Sequence, residues 1–224
     1  MIVRRAFLLT LPAFAAAAQQ AELAGTPPGP ITPARPGTPE GDALIARARD
    51  GGLVLYQRHA DTSGEPCDRS FRVGDRAGQR NISPAGRVQA AEIGRRLRDL
   101  GIPVALPVPA GPVFRARDTA EVAFGPENVR VTDELLADDY AGGRLDWVLA
   151  AHRRLLSDPV PAGTNRVLVG HRTPAIMVLG PAVASRALPE GAFVILEPVA
   201  ASAPRILGVL DLVPAPGGGW HGCG

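Results

Sequence analysis

Two histidines each follow directly on a short apolar run: His59 after Leu53-Val54-Leu55-Tyr56-Gln57-Arg58, and His171 after Val167-Leu168-Val169-Gly170. Runs this short and apolar read as buried strands, and open α/β sheets gather their chemistry at the carboxyl ends of strands. Two imidazoles delivered there would share one crevice. Arg58 precedes the first, and a second arginine, Arg115, opens Arg115-Ala116-Arg117-Asp118-Thr119-Ala120-Glu121 after another apolar stretch. Guanidinium forks bind phosphoryl oxygens, and an imidazole serves as nucleophile or proton carrier. The set fits chemistry on a phosphoryl group.

The elements that must position these residues alternate along the chain. Residues 42–50 read as a short helix ended by Gly51-Gly52, and 53–57 as a strand. The stretch 60–82 is a long polar loop, and loops of that length in a compact domain are usually functional. Its Asp61, Thr62, Arg69, Arg72 and Arg76 either extend an anion pocket or keep the loop solvated, and the solvated reading is the simpler one. Ser83-Pro84 is a helix start with Ser as N-cap, after which Ala90, Ile93, Leu97 and Leu100 fall on one face before Gly101. Strands are expected over 104–108, 128–132, 166–170, 192–196 and 205–212, and helices over 115–124, 145–156 and 175–184. This alternation predicts a single three-layer α/β domain, with a central, mostly parallel sheet flanked by helices.

At these residues the chain resembles the histidine phosphatase superfamily, with its phosphoglycerate-mutase-like fold, over about residues 53–212. An Arg-His-Gly motif after the first strand corresponds to Arg58-His59-Ala60. The Leu-Ser/Thr-x-x-Gly-x-x-Gln-Ala helix start corresponds to Ile82-Ser83-Pro84-Ala85-Gly86-Arg87-Val88-Gln89-Ala90. A Ser-Pro-x-x-Arg-Ala-x-x-Thr-Ala pattern corresponds to 111–120, with Gly111 in place of the serine and Arg115 in the phosphate-binding place. Val-x-Val-x-His-x-x-Pro corresponds to 167–174. The resemblance implies His59 as nucleophile, His171 as the second pocket histidine, and Arg58 and Arg115 as phosphate ligands. Many members use a Glu as proton donor in a Leu-x-Glu-x-x-x-Gly segment; here that place holds Ala137, so Asp138 or Asp139 is the expected substitute and Glu134 a distant third. The implied activity is a phosphomonoesterase working through a phosphohistidine. The alternatives are a non-catalytic binder of phosphorylated ligands and a phosphoramidate phosphatase; a mutase is disfavoured for an exported chain.

Composition excludes several other classes. Every one of the 24 basic residues is arginine, which removes lysine Schiff-base chemistry and the lysine of a phosphate-binding P-loop. The formal charge of +2 comes from Arg4 and Arg5, so nucleic acid is not an expected partner. No two histidines lie at ligand spacing, so neither a metal nor another cofactor is expected. His152, beside Arg153 and Arg154, is expected on a solvated helix face, and His221 in a glycine-rich tail.

Residues 1–18 carry a positive start, an apolar stretch and small residues at Ala16, Ala17 and Ala18, which reads as a cleavable signal peptide. Arg4-Arg5-Ala6-Phe7-Leu8 resembles a twin-arginine export signal. Residues 19–41 read as a Pro/Gly-rich tether, 42–214 as the phosphatase domain and 215–224 as a tail. A periplasmic or secreted location is expected, with no membrane span, and the expected partner is a small phosphomonoester or a phosphorylated envelope component. Such a compartment permits Cys67 and Cys223 to pair.

Overall fold

The computed structural model describes residues 29–63, 67–200 and 202–220. The expected leader over 1–18, the first part of the tether, His221 and Cys223 lie outside the described residues. Residues 29–41, expected as tether, are instead packed onto the domain. Ile31 N–H donates to Ala182 O, Ala34 N–H to Val209 O, and Asp211 N–H back to Ala34 O, each at 2.8 Å. Helix α1 (Pro39–Arg49) then starts on Thr38, whose hydroxyl accepts from Gly41 N–H, earlier than the spacing predicted because Pro39 fits the first helical position.

Strand β1 (Val54–Arg58) is buried along its whole length. The following loop is drawn back on itself by a short antiparallel pair, β2 (Thr62–Ser63) with β3 (Asn81–Ile82). Helix α2 (Pro84–Asp99) is capped by Ser83, whose hydroxyl accepts from Gly86 N–H, and buries Ala90, Ile93 and Leu97. Strand β4 is Val108–Ala110, later than the expected 104–108. Val104 makes only an isolated bridge to Asn165, and the ladder forms where Ala110 pairs with Val169.

Helix α3 (Phe114–Phe124) ends at Gly125, and β5 (Val129–Val131) follows. A short helix α4 (Asp138–Ala141), the longer α5 (Leu145–Ser157) and strand β6 (Arg166–Gly170) come next. Helix α6 (Arg172–Leu179) begins directly after β6 and ends at Gly180, before the expected 184. Strands β7 (Phe193–Glu197) and β8 (Arg205–Leu210) close the fold.

The six-stranded sheet has the order β5-β4-β6-β1-β7-β8, and β7 alone runs against the rest. Alternate residues of each strand face opposite sides, and each side is covered. Leu55, Val167, Val169, Phe193 and Ile195 pack with α1, α2 and α3 residues such as Leu44, Ile93 and Ala120. Val54, Tyr56, Leu168, Val194 and Leu196 pack with Leu155, Leu156 and Ala175 from α5 and α6. The molecule is therefore a three-layer α/β domain with a mostly parallel sheet, as the pattern predicted. No helix among the described residues is long and apolar enough to cross a membrane.

Candidate active site

The parallel register of β1 and β6 places the two histidines. Arg58 pairs with Gly170, so the next residue of each strand, His59 and His171, leaves the sheet at the same level. His59 N–H donates to Gly170 O at 3.0 Å, and the ring centroids stand 5.6 Å apart. The Tyr56 hydroxyl clasps the second histidine's backbone, donating to His171 O at 2.8 Å and accepting from His171 N–H at 3.0 Å. β4 leads into the same crevice, because Gly111 N–H bonds Val169 O and α3 then presents Arg115 from its first turn. Gly111 occupies a place where a Cβ would collide with Leu135 O, in contact with His171 Nε2.

The result is a cavity of about 440 Å³ lined by Arg58, His59, Arg80, Arg115, His171 and Arg172, with Asp68, Asp138 and Asp139 among its walls. The structure thus brings together every expected site residue. His59 Nδ1 lies 2.9 Å from Ala60 O. A carbonyl only accepts, so Nδ1 carries the proton and Nε2 keeps its lone pair. Burial, then the charges of Arg58 and Arg115, hold this imidazole well below its ordinary 6.5 and therefore neutral. His171 is buried, and neither ring nitrogen has a partner among the described residues; burial and Arg115 depress it in the same way. An unpartnered buried imidazole is costly unless a ligand completes it.

The arginines differ in how much of their fork the protein already uses. Arg58 donates through Nη1 to Leu188 O and Gly219 O and through Nη2 to Glu190, and burial lowers it to about 10. Glu190 is fully buried and also accepts from the Thr62 hydroxyl and N–H. Among the described residues Arg115 donates through Nη1 to Asp68 at 2.8 Å, and its Nε is buried without a partner. Asp68 in turn accepts from the Tyr140 hydroxyl at 2.7 Å and from Arg80 N–H at 2.6 Å. Burial pushes the Asp68 carboxyl up, but these donors outweigh it and hold it below the ordinary 3.8.

Asp138 and Asp139 both line the cavity beside Ala137. Burial, then the Asp139 charge, raises Asp138 above the ordinary carboxylate value, the condition a proton donor needs. Glu134 instead pairs with Arg154 and Arg130 and is not among the cavity's lining residues.

Of the loop residues, Arg76 grips Asp118 with two bonds at 2.6 and 2.8 Å, and Asp61 accepts from Ser83 at the start of α2. Both fix the loop rather than line the cavity. Arg69 and Arg72 are exposed.

His152 corrects the expectation of a solvated face. It is buried, donates from Nδ1 to Val148 O, and lies 6.1 Å from the Tyr56 ring. The hundred-degree helical step puts it with Val148, Ala151 and Leu155 on the buried side of α5, whatever its sequence neighbours. Cys67, on the cavity wall, is disulfide-bonded. Among the described residues no group of histidine, cysteine and acidic side chains is arranged to hold a metal.

Asp68, Arg80, Arg172 and Glu190 were not singled out by sequence reasoning. The first two sit in a loop without periodicity, and Glu190 lies in an irregular turn. Only the length of the 60–82 loop pointed toward any of them.

No family model matches the chain, and no curated protein matches it. Solved structures similar to it include the protein histidine phosphatase SixA complexed with tungstate, at 14% identity over 70% of this chain and 96% of that one, TM-score 0.47. Another is a mycobacterial glucosyl-3-phosphoglycerate phosphatase, at 21% identity over 72% and 99%, TM-score 0.46. A third is a phosphoserine phosphatase from Entamoeba histolytica in complex with phosphoserine, at 13% identity over 71% and 96%, TM-score 0.47.

Proposed function

We propose that this chain is a histidine phosphatase that hydrolyses phosphomonoesters through a phosphohistidine on His59. The observation that carries the reading is the tautomer: Nδ1–H is held by Ala60 O, so a neutral Nε2 is left for attack beside His171 and Arg115. Arg115 offers Nη2 and Nε to non-bridging oxygens, and Arg58 its remaining N–H groups, in a charge-assisted cradle. His171 donates to an oxygen that gains charge as the phosphoryl group transfers.

In the first step the Nε2–P bond forms as the ester P–O bond breaks. The bonding pair goes to the leaving oxygen, which takes a proton from Asp138. A water then attacks phosphorus and gives its proton to the Asp138 carboxylate. The N–P bond breaks, and its electrons return to Nε2.

The positive, then apolar start of the chain and the disulfide at Cys67 support a place of action outside the cytoplasm. A phosphorylated envelope component is then a candidate substrate.

The test is turnover on a phosphomonoester panel by the wild-type protein and His59→Ala. Loss of a covalent nucleophile is expected to cost at least about a thousandfold in kcat/KM, with an acid-labile phosphoprotein trapped only in the wild type. Activity retained in His59→Ala overturns the mechanism. Phosphate binding without turnover in the wild type favours the non-catalytic binder.

A further inference from the structure

Three of the four cavity arginines face a carboxylate: Arg58 and Glu190 at 3.2 Å, Arg115 and Asp68 at 2.8 Å, Arg80 and Glu190 at 4.0 Å. Arg172 faces none among the described residues. Its Nη2 donates to Ser185 O at 2.7 Å, and its Nε is buried without a partner. Its guanidinium carbon lies 5.3 Å from the centroid of the Trp220 ring, the same distance as that of Arg58. Burial alone lowers its pKa.

The placement is also built. Ser185 sits at φ +50°, a left-handed conformation that a non-glycine residue holds only when its surroundings enforce it, and its carbonyl is the group that holds Arg172. The indole supplies a cation–π face. A half-buried guanidinium at a cavity wall, with its Nε unpartnered and no carboxylate facing it among the described residues, has N–H groups left to bind an anion. The exposed Thr173 lines the cavity next to it.

We infer that Arg172 is a specificity-determining residue that receives a second acidic group of the substrate, so that the preferred substrates are phosphomonoesters bearing a further anionic group, such as a carboxylate. The inference rests on the phosphatase reading of the cavity and narrows it. His59, His171 and Arg115 hold the reacting phosphoryl group, while Arg172 reads charge on the alcohol part. Its partner on the protein is a neutral carbonyl, so the incoming anion displaces no ion pair.

The experiment compares 4-(carboxymethyl)phenyl phosphate with its neutral isostere, 4-(carbamoylmethyl)phenyl phosphate, whose methylene spacer keeps the two leaving groups alike. The wild-type protein is expected to favour the carboxylate by about tenfold in kcat/KM, carried mostly by KM, as one charge-assisted contact allows. Arg172→Gln should bring that ratio to about one, and Arg172→Lys should restore part of it. The inference is overturned if the wild type shows no preference, if Arg172→Gln keeps it, or if Arg172→Gln loses equally on both esters. If the wild type turns over neither ester, calorimetric titration with the same two compounds decides. A carboxylate preference that Arg172→Gln abolishes upholds the subsite while the phosphatase reading fails, and equal binding removes both.

Discussion

Arg58–Glu190 and Arg115–Asp68 are chemically the same pair, yet they do opposite things. The first is sealed: Glu190 is fully buried, Arg58 has two main-chain acceptors besides, and Thr62 completes the carboxylate. The second is more open: among the described residues Arg115 reaches no main-chain acceptor and keeps its Nε unpartnered, and its carboxylate arrives on a loop, steadied by Tyr140. Two arginines that the sequence presents as equals thus differ in how far the protein already holds them: Arg58 is largely tied down beside His59 and keeps few N–H groups for a ligand, while Arg115 keeps more of its fork free. A motif states which side chain is present, whereas its neighbours' hydrogen bonds state how much of it remains for a ligand.

The comparison breaks most severely at its sealed half. Glu190→Gln leaves a buried guanidinium without its counter-charge, and the expected loss is about 3–5 kcal/mol of stability, read as a lower midpoint in denaturant; a change below about 0.5 kcal/mol would mean that Arg58 is not sealed. Next comes Asp138, the proposed proton donor, on the cavity wall. Asp138→Asn should slow alkyl phosphates by about a hundredfold and spare aryl phosphates, whose leaving oxygens need no proton.

The same variant tests the pH profile. In the proposed mechanism Asp138 acts protonated, and its pKa is raised; His59 acts neutral, and its pKa is depressed. The active window therefore lies on the acid side, closing below as His59 gains a proton and above as Asp138 loses one. Asp138→Asn should abolish the upper limb, and an unchanged upper limb would remove Asp138 from the role. The smallest effect is at Asp68. Asp68→Asn takes away the charge that competes with phosphate for Arg115, and inorganic phosphate should inhibit about threefold more tightly. Weaker inhibition would assign Asp68 to orienting the fork instead.

The legible part of this molecule is the part governed by periodicity. β1 and β6 announce themselves as short apolar runs, and their parallel register carries His59 and His171 together without further information. α2 was readable from Ser83, Pro84 and its apolar stripe. Where side-chain ties replace main-chain ladders, the sequence is silent. Asp68 and Arg80 reach the cavity because β2 pairs with β3 and Arg76 grips Asp118, and neither event has a local signature. Glu190 is placed by a turn. His152 was misread for a different reason: its charged sequence neighbours outweighed the helical step that turns it inward. The segment 29–41 was misread because a Pro/Gly-rich composition describes a chain without its own periodic structure, which does not prevent it from borrowing bonds from a strand.

That borrowing has a consequence for solubility. An edge strand left bare is a template for pairing with another molecule, and β8 is the last strand on its side of the sheet. Ala34 covers the end of its outer row by bonding Val209 and Asp211. At the opposite margin β5 is only three residues long and carries Arg130, features that discourage such pairing by themselves. A chain trimmed back to Pro39 would keep every active-site residue and still uncover the C-terminal end of β8, so its first symptom would be self-association rather than loss of catalysis.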